Sequence, residues 1–259
     1  MVPIDLSGKT GIVFGVANKR SLAWGIAREL ATAGARLAFT YQGERLRAGV
    51  EELAAELPGS ILAACDVSSD AELDSVFETI GREFGRLDYL VHSIAFARKE
   101  DLEGSFLDTP REGFDVALSV SAYSLLAVAR RAVPLMERSG GGSIVTLTFL
   151  ASQRVFLNYN VMGTAKAALE QIVRQLAWEL GGRSIRVNAV SAGPVSTLSA
   201  RGIARFNDML ELHRSRAPLR RNITQEEVGR AGLFLLSDLA SGVTGEVLHV
   251  DAGYNIMGL

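Results

Sequence analysis

The segment Asn158-Tyr159-Asn160-Val161-Met162-Gly163-Thr164-Ala165-Lys166 sets a phenol and an ammonium seven positions apart. At about 100° per residue, helical winding leaves about 20° between them, two turns apart on one face. A phenol ordinarily titrates near pH ~10, too weakly acidic to help at neutral pH. A nearby ammonium favours the phenolate and makes the phenol a better donor to an oxygen that is gaining charge. Tyr159 and Lys166 are therefore the candidate catalytic pair.

A second constellation lies near the amino terminus. An apolar run ends in Gly15-Val16-Ala17-Asn18-Lys19-Arg20-Ser21-Leu22-Ala23-Trp24-Gly25, which then opens a helical pattern. Glycine permits a tight turn and close approach of backbone to a phosphate, and a helix amino terminus offers free N–H donors. Ser21 is placed as a cap or hydroxyl donor. This is the first junction of a dinucleotide-binding fold. The second such run ends in Tyr41-Gln42-Gly43-Glu44, beside the expected adenosine ribose. Its tip is neutral before an acidic residue, where a 2′-phosphate would want Arg or Lys. NADH is expected over NADPH, with Gln42 a hydrogen-bonding partner, although Arg45 and Arg47 lie just beyond. The third run closes at Cys65-Asp66-Val67. Asp66 can accept from an adenine amino group while Val67 packs on the ring; capping of the next helix is the competing role. In such a complex Lys166 can also fork onto ribose hydroxyls.

The elements that must carry these residues follow from apolar patterning. Continuous apolar runs predict strands over 10–15, 36–41, 61–66, 87–93, 143–148, 185–191 and 246–250. Strands without alternation belong to a parallel sheet covered on both faces. Helical patterns over 21–33, 44–56, 71–84, 111–137, 159–180 and 225–237 lie between them. The fold expected is α/β: a single Rossmann-type, doubly wound parallel sheet of about seven strands with helices on both faces, one domain over 1–259. The segment 194–224 breaks the rhythm, being polar and Arg-rich with a weak helical pattern over 198–212. It follows the carboxyl end of a strand, where open α/β sheets bind ligands, and is read as a substrate-binding lid.

Bulk properties exclude several classes. The 259 residues carry net charge −2 and a pI near 6.0, so no global field attracts nucleic acid or anionic membrane. His92, His213 and His249 match no metal-ligand spacing, and the lone Cys65 cannot bridge internally, so no metal is expected. No stretch reads as the roughly 18 apolar residues of a membrane span, and the start lacks the pattern of a signal peptide. A cytoplasmic protein is expected.

Taken together, these pieces resemble the enoyl-acyl-carrier-protein reductases, a divergent branch of the short-chain dehydrogenase/reductase superfamily. Ordinary members carry Tyr-x3-Lys; here Gly163 stands where that lysine would be, and Tyr-x6-Lys is the enoyl-reductase spacing. His92-Ser93-Ile94-Ala95-Phe96 replaces their Asn-Asn-Ala-Gly. Further matches are Phe39-Thr40-Tyr41-Gln42, Asn188-Ala189-Val190-Ser191-Ala192-Gly193-Pro194 with Thr197-Leu198, and Gly245 through Asp251. The resemblance spans the whole chain. It implies NADH-dependent reduction of the 2,3 double bond of trans-2-enoyl thioesters in type II fatty acid elongation. It further implies an acyl carrier protein as substrate carrier and a homotetramer, with the apolar tail from Tyr254 to Leu259 buried at an interface. Tyr159 would hydrogen-bond the thioester carbonyl and Lys166 hold the nicotinamide ribose. Gly15, Ser21, Leu22, Gln42, Asp66, Val67, Ser93, Ile94, Val195 and Thr197 would line the cofactor, and Phe149, Ala95, Phe96 and Met162 the substrate pocket.

Two departures from the family pattern stand out. Many bacterial relatives carry a second tyrosine ten residues before the first, where this chain has Phe149, resembling the branch that acts on longer acyl chains. A phenyl ring cannot donate to an oxyanion, so Phe149 is read as a gate or as packing beside the nicotinamide. Relatives also place several basic residues near the lid for the acidic carrier protein; here Arg201 and Arg205 are interleaved with Asp208 and Glu211, with Arg214, Arg216, Arg220 and Arg221 close by.

Overall fold

In the computed structural model, residues 4–198, 200 and 204–258 are described. Seven strands are β1 (Thr10–Phe14), β2 (Arg36–Tyr41), β3 (Ile61–Ala64), β4 (Tyr89–His92), β5 (Gly142–Thr148), β6 (Ile185–Ala192) and β7 (Val247–Val250). They form one all-parallel sheet in the order β3-β2-β1-β4-β5-β6-β7. Between them run α1 (Leu22–Thr32), α2 (Glu44–Ala55), α3 (Asp70–Glu83), the short α4 (Lys99–Leu102), α5 (Arg111–Leu118), α6 (Ser124–Glu137), α7 (Asn160–Leu180), α8 (Phe206–Arg216) and α9 (Gln225–Leu236).

The apolar runs become strands because both their faces are covered. One core gathers Ile12, Leu90 and Ile144 with side chains of α3, α6 and α7. The other gathers Val13, Phe39, Val91 and Val145 with α1, α2 and α9. The strand order reverses between β1 and β4, the crevice where open α/β sheets take ligands outside the carboxyl ends of the strands. The expected fold is the observed one.

Two expectations need correction. The single helix expected over 111–137 is interrupted: Ser119–Tyr123 widen into a π turn between α5 and α6. A π turn depends on what the helix packs against, which periodicity does not encode. The same run, Arg111–Glu137, is long and apolar enough to cross a membrane by length and composition, contrary to the sequence expectation. It is a core element instead, 56% of its apolar window being buried, with Arg131 paired to Asp70 and Asp74 of α3.

Candidate active site

The reacting end is built where β5 hands over to α7. Asn158 takes a left-handed turn (φ 60°) that Asn tolerates, and Tyr159 follows as the residue capping α7. Lys166 rises from the second turn of that helix, 5% exposed, and its Nζ donates to the Leu147 carbonyl of β5 at 2.8 Å. One of its three N–H donors is thereby used. Burial holds its pKa down to about 8, an effect that the Glu170 carboxylate one turn on partly offsets. Glu170 is itself buried and accepts from the Thr148 hydroxyl at 2.8 Å.

Tyr159 differs from its sequence expectation. No lowering by Lys166 is seen; desolvation pushes the phenol above its ordinary value, so it keeps its proton. The reason is placement. Tyr159 precedes the helix rather than lying on it, and its ring meets Phe149 edge-on at 5.3 Å. Phe149 also packs against Phe156 at 4.6 Å. The outcome still suits a donor, because a neutral phenol has a hydrogen to give.

Gly163 explains the seven-residue spacing. A Cβ there would lie 3.0 Å from the Ala151 carbonyl oxygen, a crowded position for any longer side chain. A lysine at the ordinary spacing has little room, and the ammonium is supplied one turn later.

The crevice for a dinucleotide can be tested on the structure's own features. Gly15 has φ +95°, and a Cβ on it would overlap the Ser93 carbonyl at 2.0 Å, so the loops after β1 and β4 all but touch. Ser21 is buried, and its hydroxyl accepts from the amides of Ala17 and Asn18 at 3.0 and 3.2 Å, shaping the loop between β1 and α1. Leu22 opens α1 and packs into the core below. At the other end, Gln42 Nε2 donates to Asp66 Oδ2 at 2.8 Å, while Asp66 Oδ1 accepts from Ser68. The two residues expected to meet the adenosine separately thus meet each other. The capping role weighed for Asp66 falls instead to Ser69, whose hydroxyl accepts from Glu72 N. Val67 and Ile94 pack on the α3–α6 core and Val195 on the opposite one. Thr197 accepts from Ala200 N. These residues stand around the carboxyl ends of β1 to β6, and the set, with spare donors at Lys166, fits a dinucleotide.

The four residues expected to form the substrate pocket are less united. Phe96 is half-exposed and Ala95 exposed beside it, whereas Met162 is buried within α7. A cavity of about 730 Å³ opens beside Asn158, but it is lined by Phe156, Asn158, Pro194, Arg205, Met209 and Leu212 among others, and by none of the four. Phe156 links the two groups through its packing on Phe149. Two supports escaped the sequence reading. Gln225 of α9 donates to the Lys19 and Ser21 carbonyls, tying α9 to the loop of the first junction. His92 is wholly buried, and burial drives its pKa to about 3, so it stays neutral. The first needed the tertiary packing of α1 on α9, and no sequence signal marks it.

The basic residues are mostly engaged. Arg205 pairs with Asp208 at 2.6 Å, Arg214 with Glu211 at 2.9 Å and Arg221 with Glu227 at 2.6 Å. Arg201 lies outside the described residues. Cys65 is buried and its thiol is pushed up to about 12, an inert position, and among the described residues no His, Cys, Asp and Glu cluster suits a metal ion.

A parallel sheet with this reversal, and a phenol–lysine pair at its carboxyl edge, is an arrangement that suits an oxidoreductase working with a nicotinamide dinucleotide. The sequence profile described as "Enoyl-(Acyl carrier protein) reductase" matches residues 15–255. The chain belongs to that family. It is 57% identical to the NADH-dependent enoyl-acyl-carrier-protein reductase of Bacillus cereus, over 98% of this chain and 99% of the relative. It is 51% identical to the NADPH-dependent enzyme of Staphylococcus aureus, over 97% and 98% respectively. The crystal structure of the Bacillus cereus reductase with NADP+ and indole naphthyridinone superimposes with a TM-score of 0.95 at 57% identity, covering 98% of this chain and 99% of that one.

Proposed function

We propose that this protein reduces the carbon–carbon double bond of trans-2-enoyl thioesters in fatty acid elongation, with Tyr159 and Lys166 at its reacting centre. The observation that carries the assignment is the pair itself. A proton-bearing phenol stands on the residue that precedes α7, and two turns on a buried ammonium keeps donors free, while position 163 is crowded against Ala151.

NADH, when bound, supplies the hydride that adds to the β-carbon of the substrate. The protein's own residues handle the charge that results. Electron density moves onto the thioester carbonyl oxygen, the Tyr159 hydroxyl donates a hydrogen bond to it, and uptake of one proton at the α-carbon completes the reduction. One such donor is typically worth about 2.7–4 kcal/mol, a roughly 10²–10³-fold rate effect. Desolvation of this half-buried residue serves the role by keeping the phenol protonated. Lys166, anchored on Leu147, turns its remaining donors to the ribose hydroxyls. Phe149 contributes a flat apolar wall against Tyr159 and no second donor. Gly15, Ser21 and Leu22 take the phosphate end, Gln42, Asp66 and Val67 the adenosine, and Ser93, Ile94, Val195 and Thr197 the nicotinamide half. Ala95, Phe96 and Met162, with Phe149, face the acyl thioester, and the segment 194–224 covers it.

The substrate arrives on an acyl carrier protein, received by the Arg-rich surface around α8, and the working form is a cytoplasmic homotetramer. The test is spectrophotometric. Crotonyl and dodecenoyl thioesters should oxidise NADH while 3-oxoacyl thioesters should not; the reverse outcome would make the protein a carbonyl reductase.

A further inference from the structure

The π turn Ser119–Tyr123 contains the wholly buried Ser121 and is followed at once by the wholly buried Ser124. Ser121 Oγ accepts from the Phe96 amide at 2.9 Å and donates to the Phe96 carbonyl at 3.0 Å. Ser124 Oγ lies 2.8 Å from His92 Nε2 and donates to the Val120 carbonyl at 2.6 Å. The other ring nitrogen, Nδ1, lies 2.9 Å from Thr146 Oγ1 on β5, which also reaches the His92 carbonyl at 3.1 Å. His92 and Phe96 are thus fastened on either side of Ser93, Ile94 and Ala95.

We propose that Ser121 and Ser124 are positioning residues of the reductase, which pin the ends of the span from His92 to Phe96 and so set where it faces the dinucleotide crevice. The inference rests on the reading that Ser93 and Ile94 line the nicotinamide half. The observations support a dedicated latch rather than routine packing. Both serines bond to β4 or the loop after it, and Ser121 satisfies the amide and the carbonyl of one residue with one hydroxyl. The regular helix is given up at this one place, and π turns concentrate at functional sites.

The hydrogens in this network must also be counted. A neutral imidazole has one N–H, yet both neighbouring hydroxyls already have a carbonyl to donate to. One hydroxyl must turn. The Ser124–Val120 bond is the shorter of the two, so it is kept, and Ser124 then accepts from Nε2–H. Thr146 turns its hydrogen to Nδ1, releasing the longer bond. This arrangement favours the Nε2–H tautomer of His92, set from the side of the helix.

The experiment uses the full chain, with Ser121→Ala and Ser124→Ala. NADH dissociation constants are measured by fluorescence, steady-state constants with dodecenoyl thioester, and the His92 tautomer by ¹⁵N NMR of the free protein. Ser121→Ala should weaken NADH binding about tenfold, the effect of losing one to two hydrogen bonds, with kcat within about threefold. In Ser124→Ala the His92 ring should move toward the Nδ1–H tautomer, while Ser121→Ala leaves it unchanged. Wild-type NADH affinity in Ser121→Ala would overturn the latch, as would a fall in Tm with affinity per folded molecule unaltered. A wild-type protein that reduces no enoyl thioester would overturn the site reading, and this inference with it; that failure is recognisable because it needs no variant.

Discussion

The two edges of the sheet each hold a buried charge, and they treat it in opposite ways. At the amino edge, Asp88 is 3% exposed and fully engaged: Lys9 Nζ at 3.0 Å, Arg86 at 3.2 Å, and the amide of Thr10 at 2.9 Å. At the carboxyl edge, Lys166 is as deeply buried but, among the described residues, has a single acceptor, and there the Tyr159 hydroxyl makes no hydrogen bond. A cavity of about 490 Å³ opens beside Asp88, so an opening alone does not mark a site. What separates the edges is unspent hydrogen-bonding capacity. Breaking a satisfied buried charge costs stability, whereas one with spare hydrogen-bonding capacity can serve a ligand.

Removing the phenol should sharpen this contrast most. Tyr159→Phe is expected to lower kcat with dodecenoyl thioester roughly 10²–10³-fold, while a thermal melt moves by less than about 2 °C, since no protein bond is lost. Asp88→Ala should do the converse. It strips an acceptor from the Thr10 amide and leaves two cations unpaired, at a cost of about 2–3 kcal/mol because both cations reach solvent. Tm should fall about 5–10 °C, with kcat per folded molecule unchanged. A loss of activity at wild-type Tm would break the comparison.

Lys166 adds a pH signature of moderate size. Its folded pKa, about 8, lies below the unfolded value of 10.5. Between these values the unfolded chain binds more protons, so this group's contribution to stability rises with pH through that window. Below pH 8 the buried ammonium is a burden on the order of 3 kcal/mol, partly offset by its bond to Leu147. Lys166→Met is thus expected to raise Tm by about 2–4 °C at pH 7, an advantage that fades toward pH 10.5, while activity is lost. NADH binding by the wild type should weaken as pH climbs past about 8, read by fluorescence titration.

The smallest effect concerns the adenosine end. The Gln42–Asp66 pair presents no cation at the tip of β2, and kcat/KM should favour NADH over NADPH by about tenfold, comparable to one charge-assisted hydrogen bond. A Gln42→Arg variant should narrow or reverse that ratio.

Much of this was legible in the sequence, for definable reasons. Strands buried on both faces leave uninterrupted apolar runs, so the sheet, with its Gly15 and Asp66 strand ends, could be read directly. The Tyr159–Lys166 spacing was equally visible because it is local. Hidden from the sequence were features created by contact between distant segments. The two serines at the π turn meet β4 and the loop after it only in the folded chain, and Gln225 matters because α9 lies against α1. The raised pKa of Tyr159 reflects burial beneath Phe149 and its neighbours, which no spacing rule contains. Phe156 and Pro194 line the larger cavity only once the loop after β5 and the segment after β6 converge.

The parallel sheet has one more consequence, for how this enzyme can change. The tips of β2 and β3, where the adenosine end is assigned, lie on one side of the reversal, while β5 and α7, which carry the reacting pair, lie on the other. A substitution at Gln42 or Asp66 need not disturb Tyr159, so cofactor choice can drift while the chemistry is held constant. Relatives named for NADH and for NADPH, at 57% and 51% identity to this chain, are what such independent inheritance of the two ends would produce.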